Sequence, residues 1–257
     1  MHWILQTNLL SEKTTDDLIT QLERQDTPYS LVKMVPFSGE ITPDIDIDGE
    51  VFVCGSTSLG KVARKRGWKP GYIDENIDMA ILLEHYGNNM LNYGAIVCKF
   101  KDVKHIWDRF FIRPCSDNKE FAGQVMTWDE FSIWQKQVLA LDGLYSSLTG
   151  DDIVVINKPV EIYSEYRFYV VNGKVITGSQ YKLGDHVVYS NVLDYRVEWY
   201  ADDMIHRWSP NQAFVIDIAD TPNGCKIIEI NSINSSGFYH CDMGKFVNAI
   251  NNMHYKG

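Results

Sequence analysis

Asp217, Glu229 and Asn231 are residues whose types and spacing could do chemistry together. They lie between Phe214 and Tyr239, in FVIDIADTPNGCKIIEINSINSSGFY, which reads as two short strands, AFVIDIA and CKIIEIN, joined at Thr221-Pro222-Asn223-Gly224. Proline presets φ at such a turn, and glycine supplies the positive φ that Cβ-bearing residues avoid. Folding the hairpin about Asn223 sets Asp217 opposite, or nearly opposite, Glu229, and Asn231 projects from the same face of its strand. Directly paired residues hold their Cβ atoms about 4.5–5.5 Å apart, where like charges repel. Two carboxylates and an amide oxygen there need a cation, and hard oxygen donors without Cys or His suit Mg²⁺. An amphipathic surface hairpin with solvated acids fits the same pattern.

Basic residues form the complementary set. Arg113 ends the strand-like run RFFIRP, and Lys119 sits in the polar turn CSDNKEFAGQV that follows. An arginine fork and a mobile lysine charge could clamp a polyphosphate from two sides, although a solvated hairpin has the same composition. Arg167 lies in Glu165–Ile176, a strand, an Asn172-Gly173 turn and a return strand ending at Ser179–Lys182. Arg167 alternates with Tyr166 and Phe168, so its charge points to the side opposite those rings. The run Gly55–Lys61, GSTSLGK, matches the glycine-and-lysine part of a phosphate loop. Val62 stands where that motif needs Ser or Thr, so a strand-to-helix turn with a Ser/Thr N-cap explains the residues as well.

The elements that must position these residues follow from pattern. Trp3–Thr7, Tyr29–Val35 and Val51–Cys54 read as strands, Thr15–Gln25 as a helix, and Pro36–Gly49 as a polar connection. This alternation predicts a small α/β unit with a largely parallel sheet. Ile77–Leu91 reads as a helix stopped by Gly94, after which the composition turns toward strands and aromatics. The domain boundary therefore falls near 90–105, giving an N-terminal part over 1–95 and a second over 96–257. Thr127 and Glu130 form a capping box for a helix to Leu141, with Phe131, Trp134, Val138 and Leu141 as its core stripe. Ile153–Lys158 reads as a strand; Tyr195–Trp208 and the tail from Asp242 to Met253 read as helices.

Composition narrows the function classes. The 257-residue chain can bury a sizeable core, and its net charge of −10 disfavours long-range attraction to nucleic acid or anionic lipid. Five cysteines without a CxxC pair argue for a reducing compartment. No apolar run approaches a membrane span, and the start MHWILQTNLL lacks the pattern of a signal peptide. The expectation is a cytoplasmic protein, in host cytoplasm if viral, without a membrane or nucleic-acid partner.

From about Asn92 to Ile250 the chain resembles the ATP-grasp superfamily of carboxylate–amine ligases. It looks most like a clade, common in bacteria and their viruses, in which arginine replaces the usual strand lysine. The matching pieces are FIRPCSDNKEFAG, VVINKP, EYRFYVVNGKVITGSQY, FVIDIA and GCKIIEINSINSSGFY, in that order. The resemblance implies two α+β subdomains gripping a nucleotide, preceded by a small α/β domain. It further implies that Arg113 and Lys119 hold ATP phosphates, and that Ile156, Asn157, Lys158 and Val160 belong to the hinge whose backbone reads adenine. Arg167 would face the γ-phosphate, with Lys182 near the same mouth. Asp217, Glu229 and Asn231 would hold Mg²⁺, and Asn234, Ser235, Ser236 and Gly237 would form the turn beneath the acceptor substrate.

The implied reaction activates a carboxylate as an acyl-phosphate and lets an amine displace phosphate, with small-molecule or peptide substrates. It requires charge neutralisation rather than a Ser–His or Cys–His nucleophile. Two other readings stay open: a phosphotransferase or nucleotidase centred on Lys61, and a catalytically silent nucleotide-binding or interaction protein.

Overall fold

The structure, a computed structural model, describes residues 1–36, 38–115, 121–141 and 148–255. The chain opens with a five-stranded sheet: β1 (His2–Gln6), β2 (Tyr29–Met34), β3 (Ile41–Thr42), β4 (Glu50–Cys54) and β5 (Lys69–Gly71), in the order β3-β2-β1-β4-β5. The pairs β1–β2, β1–β4 and β4–β5 are parallel, and only β3 runs antiparallel. β3 lies within Pro36–Gly49, expected as a plain connection. Val51, Phe52, Val53 and Cys54 are all buried, as suits a parallel strand covered on both faces. Helix α1 (Glu12–Arg24) starts where Ser11 accepts from the Thr14 amide, and α2 (Thr57–Arg66) where Ser56 accepts from the Leu59 amide.

Helix α3 (Met79–Tyr86) is shorter than the Ile77–Leu91 expected. Gly87, at φ 53°, closes it before Gly94 can, and a 3₁₀ turn over Gly87–Asn89 follows. A four-stranded antiparallel sheet comes next: β6 (Ile96–Lys99), β7 (Arg109–Pro114), β8 (Gln124–Thr127) and β9 (Ile153–Asn157), in the order β6-β9-β7-β8. Helix α4 (Trp128–Leu141) packs on it through Phe131 and Val138, which join Phe100, Phe110 and Val154 in one core. Its capping box forms: the Thr127 amide donates to Glu130 Oε2 at 2.7 Å, and the Glu130 amide to Thr127 Oγ1 at 3.3 Å. Leu141 is 42 % exposed, so the expected core stripe ends one turn earlier.

The longest strands belong to an antiparallel sheet of β10 (Ser164–Val171), β11 (Lys174–Leu183), β12 (His186–Ser190), β13 (Ala213–Thr221) and β14 (Gly224–Ser232), in the order β12-β11-β10-β13-β14. Asn172 (φ 52°) and Gly173 (φ 70°) turn β10 into β11 with both central residues at positive φ. One face, carrying Phe168, Ile216 and Ile218, is buried under α3 and α5 (Tyr195–Arg207). The opposite face is divided. At one end Tyr169 and Val215 pack with Trp3, Phe52 and Phe246, the last from α6 (Met243–Asn251). At the other end it turns polar. Among the described residues no helix is long and apolar enough to cross a membrane.

Candidate functional site

Side chains of one sheet face are set by register, and here register places Ser179, Arg167, Asp217 and Glu229 in a row across β11, β10, β13 and β14. The hairpin tip is Pro222-Asn223, with Thr221 opposite Gly224 (φ 90°). Counted from that pair, a plain ladder would set Asp217 against Ile228. A bulge at Ile228 shifts the register so that Glu229 meets Asp217 instead. The bulge also lets Ile227 and Ile230, three positions apart, both bury in the core behind the sheet.

The two carboxylates are neutralised by two arginines. Arg167 donates to Asp217 through Nε to Oδ1 at 2.8 Å and Nη2 to Oδ2 at 2.7 Å, while its Nη1 reaches the Gly237 carbonyl at 3.2 Å. Arg113, from the smaller sheet, reaches across to Glu229, Nη2 to Oε2 at 2.8 Å, and Asn231 Nδ2 donates to the other Glu229 oxygen at 2.9 Å. Burial alone would raise the Glu229 carboxyl, but Arg113, the Asn231 amide and Arg167 together hold it below the usual carboxylate range. Asp217, 1 % exposed, is raised by burial against the pull of Arg167, and it keeps Arg167 firmly protonated despite the cost of burying that guanidinium.

Between the sheets lies a cleft of about 640 Å³, whose lining includes Arg113, Glu165, Arg167, Glu229, Asn231, Ser235, Ser236 and Gly237. Asp217 sits beneath it rather than on its wall. Lys182 stands back from the lining and donates to Glu165 Oε1 at 2.8 Å. Asn234, expected in the acceptor turn, turns its side chain the other way: Nδ2 donates to Val53 O at 2.6 Å and Gly71 O at 3.0 Å, and Oδ1 accepts from the Ile73 amide at 2.8 Å. Ile156 is buried and Asn157 ends β9; these, Lys158 and the 40 %-exposed Val160 lie outside the cleft lining. Lys119 lies outside the described residues.

Glu165, Tyr181 and Tyr239 are cleft residues that sequence reasoning did not single out. Glu165 was within reach, since it precedes Arg167 by two positions on one strand and so shares its face. Tyr181 donates to Glu165 Oε2 at 2.8 Å, and burial with the nearby Asp217 and Glu165 pushes its phenol up, keeping it a neutral donor. Tyr239 stacks on Tyr181, ring centroids 4.9 Å apart, and lies 4.8 Å from the Arg167 guanidinium carbon.

The phosphate-loop resemblance of Gly55–Lys61 has another physical origin. The Ser56 amide and hydroxyl both donate to Gln6 Oε1, at 2.9 and 2.8 Å, so a side chain occupies the turn that would cradle phosphate. Gly60 is there because a Cβ would stand 2.6 Å from the Tyr72 ring, and Lys61 is exposed. Burial pushes the Cys54 and Cys241 thiols up to about 12, which rules both out as thiolate nucleophiles at neutral pH.

Oxygen donors for a hard cation are present in Glu229 and Asn231 on the cleft wall and Asp217 below it. Among the described residues, no three acidic, His or Cys side chains converge as a preformed cation cage. That matches Mg²⁺, which takes one or two carboxylates and completes its shell with waters and substrate phosphates.

The fold has known counterparts. It is similar to the RimK domain protein ATP-grasp from Sphaerobacter thermophilus, at a TM-score of 0.63 and 13% identity, with 92% of each chain covered. It is also similar to the D-alanine–D-alanine ligase from Bacillus anthracis, at a TM-score of 0.63 and 14% identity, over 99% of this chain and 93% of that one. A third likeness is to the ATP-grasp ligase PsnB, solved with a phosphomimetic variant of its minimal precursor, Mg and ADP, at a TM-score of 0.57 and 11% identity, over 97% and 95%. No curated protein matches the sequence. Residues 47–250 match a family model described as an ATP-grasp domain, clade family 3; the chain belongs to that family, and with it to the ATP-grasp carboxylate–amine ligases.

Proposed function

We propose that this protein uses ATP and Mg²⁺ to join a carboxylate to an amine through an acyl-phosphate, releasing ADP and phosphate. The observation that carries the reading is the charged row Arg167–Asp217–Glu229 on one sheet, met by Arg113 from the facing sheet at 2.8 Å. Phosphoryl transfer depends on positioned charge, and the site holds both signs at one cleft.

In this reading Arg113, standing where commoner ATP-grasp enzymes carry lysine, leaves Glu229 for the nucleotide phosphates, with Lys119 as its companion. Glu229 and Asn231, with Asp217 behind them, then hold Mg²⁺, which supplies charge neutralisation at the phosphates. Asp217 fixes the Arg167 fork through two of its nitrogens, leaving Nη1 at the Gly237 carbonyl to face the transferred phosphoryl group. Ile156, Asn157, Lys158 and Val160 supply the adenine hinge through their backbone. Ser235, Ser236 and Gly237 form the acceptor turn, Asn234 anchors it, and Lys182 orients Glu165 at the mouth. The substrates are a small-molecule or peptide carboxylate and amine, and PsnB, solved with a peptide precursor, supports the wider range.

The test is amine-dependent ADP and phosphate release from Mg-ATP across a panel of carboxylates and amines, with mass spectrometry of the product. Glu229→Gln is expected to lose about 100-fold or more in turnover while keeping its melting temperature. Near wild-type turnover in that variant, or ADP release indifferent to the amine, would overturn the assignment.

A further inference from the structure

We propose that the outer edge of β11 from Val175 to Gly178 is a docking slot for an extended polypeptide substrate, whose reactive end enters the Arg167 cleft past Tyr239. The proposal rests on the ligase reading and narrows its substrate to a peptide or a protein terminus.

On its outer side β11 is paired by β12 only at Gln180, Lys182 and Leu183. Among the described residues no strand pairs with Val175–Gly178 on that side. An unpaired edge presents alternate N–H and C=O groups, a template that proteins ordinarily cover or blunt. Here the edge forms the floor of a groove of about 1030 Å³, with Lys13 and Arg24 of α1, Glu198 of α5 and Lys245 of α6 among its walls. The walls carry Asp17 and Asp242 as well, so their charges balance and give a polyanion no advantage. What the floor offers is main-chain hydrogen bonding, and the ligand that matches it at about 3.3 Å per residue is an extended peptide.

The groove leads to the reaction centre. Gly178 adjoins Ser179, which stands in register with Arg167. Tyr239 lines both the groove and the 640 Å³ cleft. Its backbone is left-handed at φ 50°, a conformation that costs a bulky residue roughly 1–3 kcal/mol. Its ring is held between Tyr181 and Tyr189, centroids at 4.9 and 5.3 Å. The strain keeps an aromatic partition between the two cavities, beside Arg167, where a peptide terminus would pass.

The test uses the full chain and a randomised hexapeptide pool with free termini. Its controls are the same pool N-methylated at alternate residues and an equal mass of free amino acids. Hydrogen exchange of the groove-facing amides in Val175–Ser179 should slow about fivefold or more with the plain pool alone. Asn191→Trp, which fills the groove beside the edge, should remove that protection while its thermal melt shows a folded chain. No protection, or equal protection by the N-methylated pool or the amino acids, would overturn the slot. ATP affinity of the wild-type chain, measured separately, keeps the two readings apart: binding of ATP without peptide protection sinks only the slot, whereas failure to bind ATP sinks the ligase reading.

Discussion

Arg113 and Glu229 come from facing sheets, yet they meet at 2.8 Å with side chains only 16 % and 28 % exposed. The Arg167–Asp217 pair is buried more deeply still, at 10 % and 2 %. Removing a single partner from such a buried pair typically costs 3–5 kcal/mol, because the remaining charge is left uncompensated. Glu229 also makes the site pH-sensitive, in a direction that follows from its lowered pKa. A carboxyl depressed on folding contributes stability above its unfolded value of about 4.3, and loses it as pH falls through the folded value. The stability difference between wild type and Glu229→Gln, from urea midpoints, should therefore stay constant from about pH 7 to 5 and shrink on further acidification. A difference that grows in acid would contradict the ion pair.

At the scale of elements, the β13–β14 hairpin illustrates how a small irregularity builds a site. Strict alternation along Ile227-Ile228-Glu229-Ile230 would bury Ile228 with Ile230 and turn Ile227 outward. The bulge reverses this: Ile227 is fully buried and Ile228 lines the cleft. Ile227→Ala should accordingly destabilise by about 2–5 kcal/mol and Ile228→Ala by clearly less, roughly 1 kcal/mol, in denaturant melts. The opposite order would place the bulge elsewhere and separate Asp217 from Glu229. The turn itself was legible from Pro222 and Gly224, and so was the Asn172-Gly173 turn. β12 escaped notice because HVVYS is short and exposed, with Val187 71 % and Tyr189 55 % accessible.

At the scale of the molecule, the cleft is held by ties between distant parts of the chain. Trp3 Nε1 donates to Asn251 Oδ1 at 2.8 Å, and its ring meets Phe246 edge-on at 5.5 Å, so β1 and α6 share one core. Asn234 fastens the turn after β14 to β4 and β5, and its carbonyl also accepts from the Gly55 amide at 2.8 Å. Asn234→Ala would leave the buried Val53 and Gly71 carbonyls and the Ile73 amide without that partner. A loss of about 3 kcal/mol or more in a urea melt is expected, with reduced ATP turnover as the turn loosens. A variant within about 1 kcal/mol of wild type would show that the N-terminal sheet does not hold the turn.

What the sequence determined by itself was local: strand alternation, the capping box at Thr127, the two turns, and the common face of Asp217, Glu229 and Asn231. These depend on residues within a few positions of one another, where period and φ preference suffice. Only the tertiary structure decided that Arg113 crosses to Glu229, that Asn234 faces the N-terminal sheet, and that Gln6 fills the Gly55–Lys61 turn. Each of those joins residues 50 or more positions apart, and no spacing in a sequence records which buried charge or amide will find which partner once the sheets close.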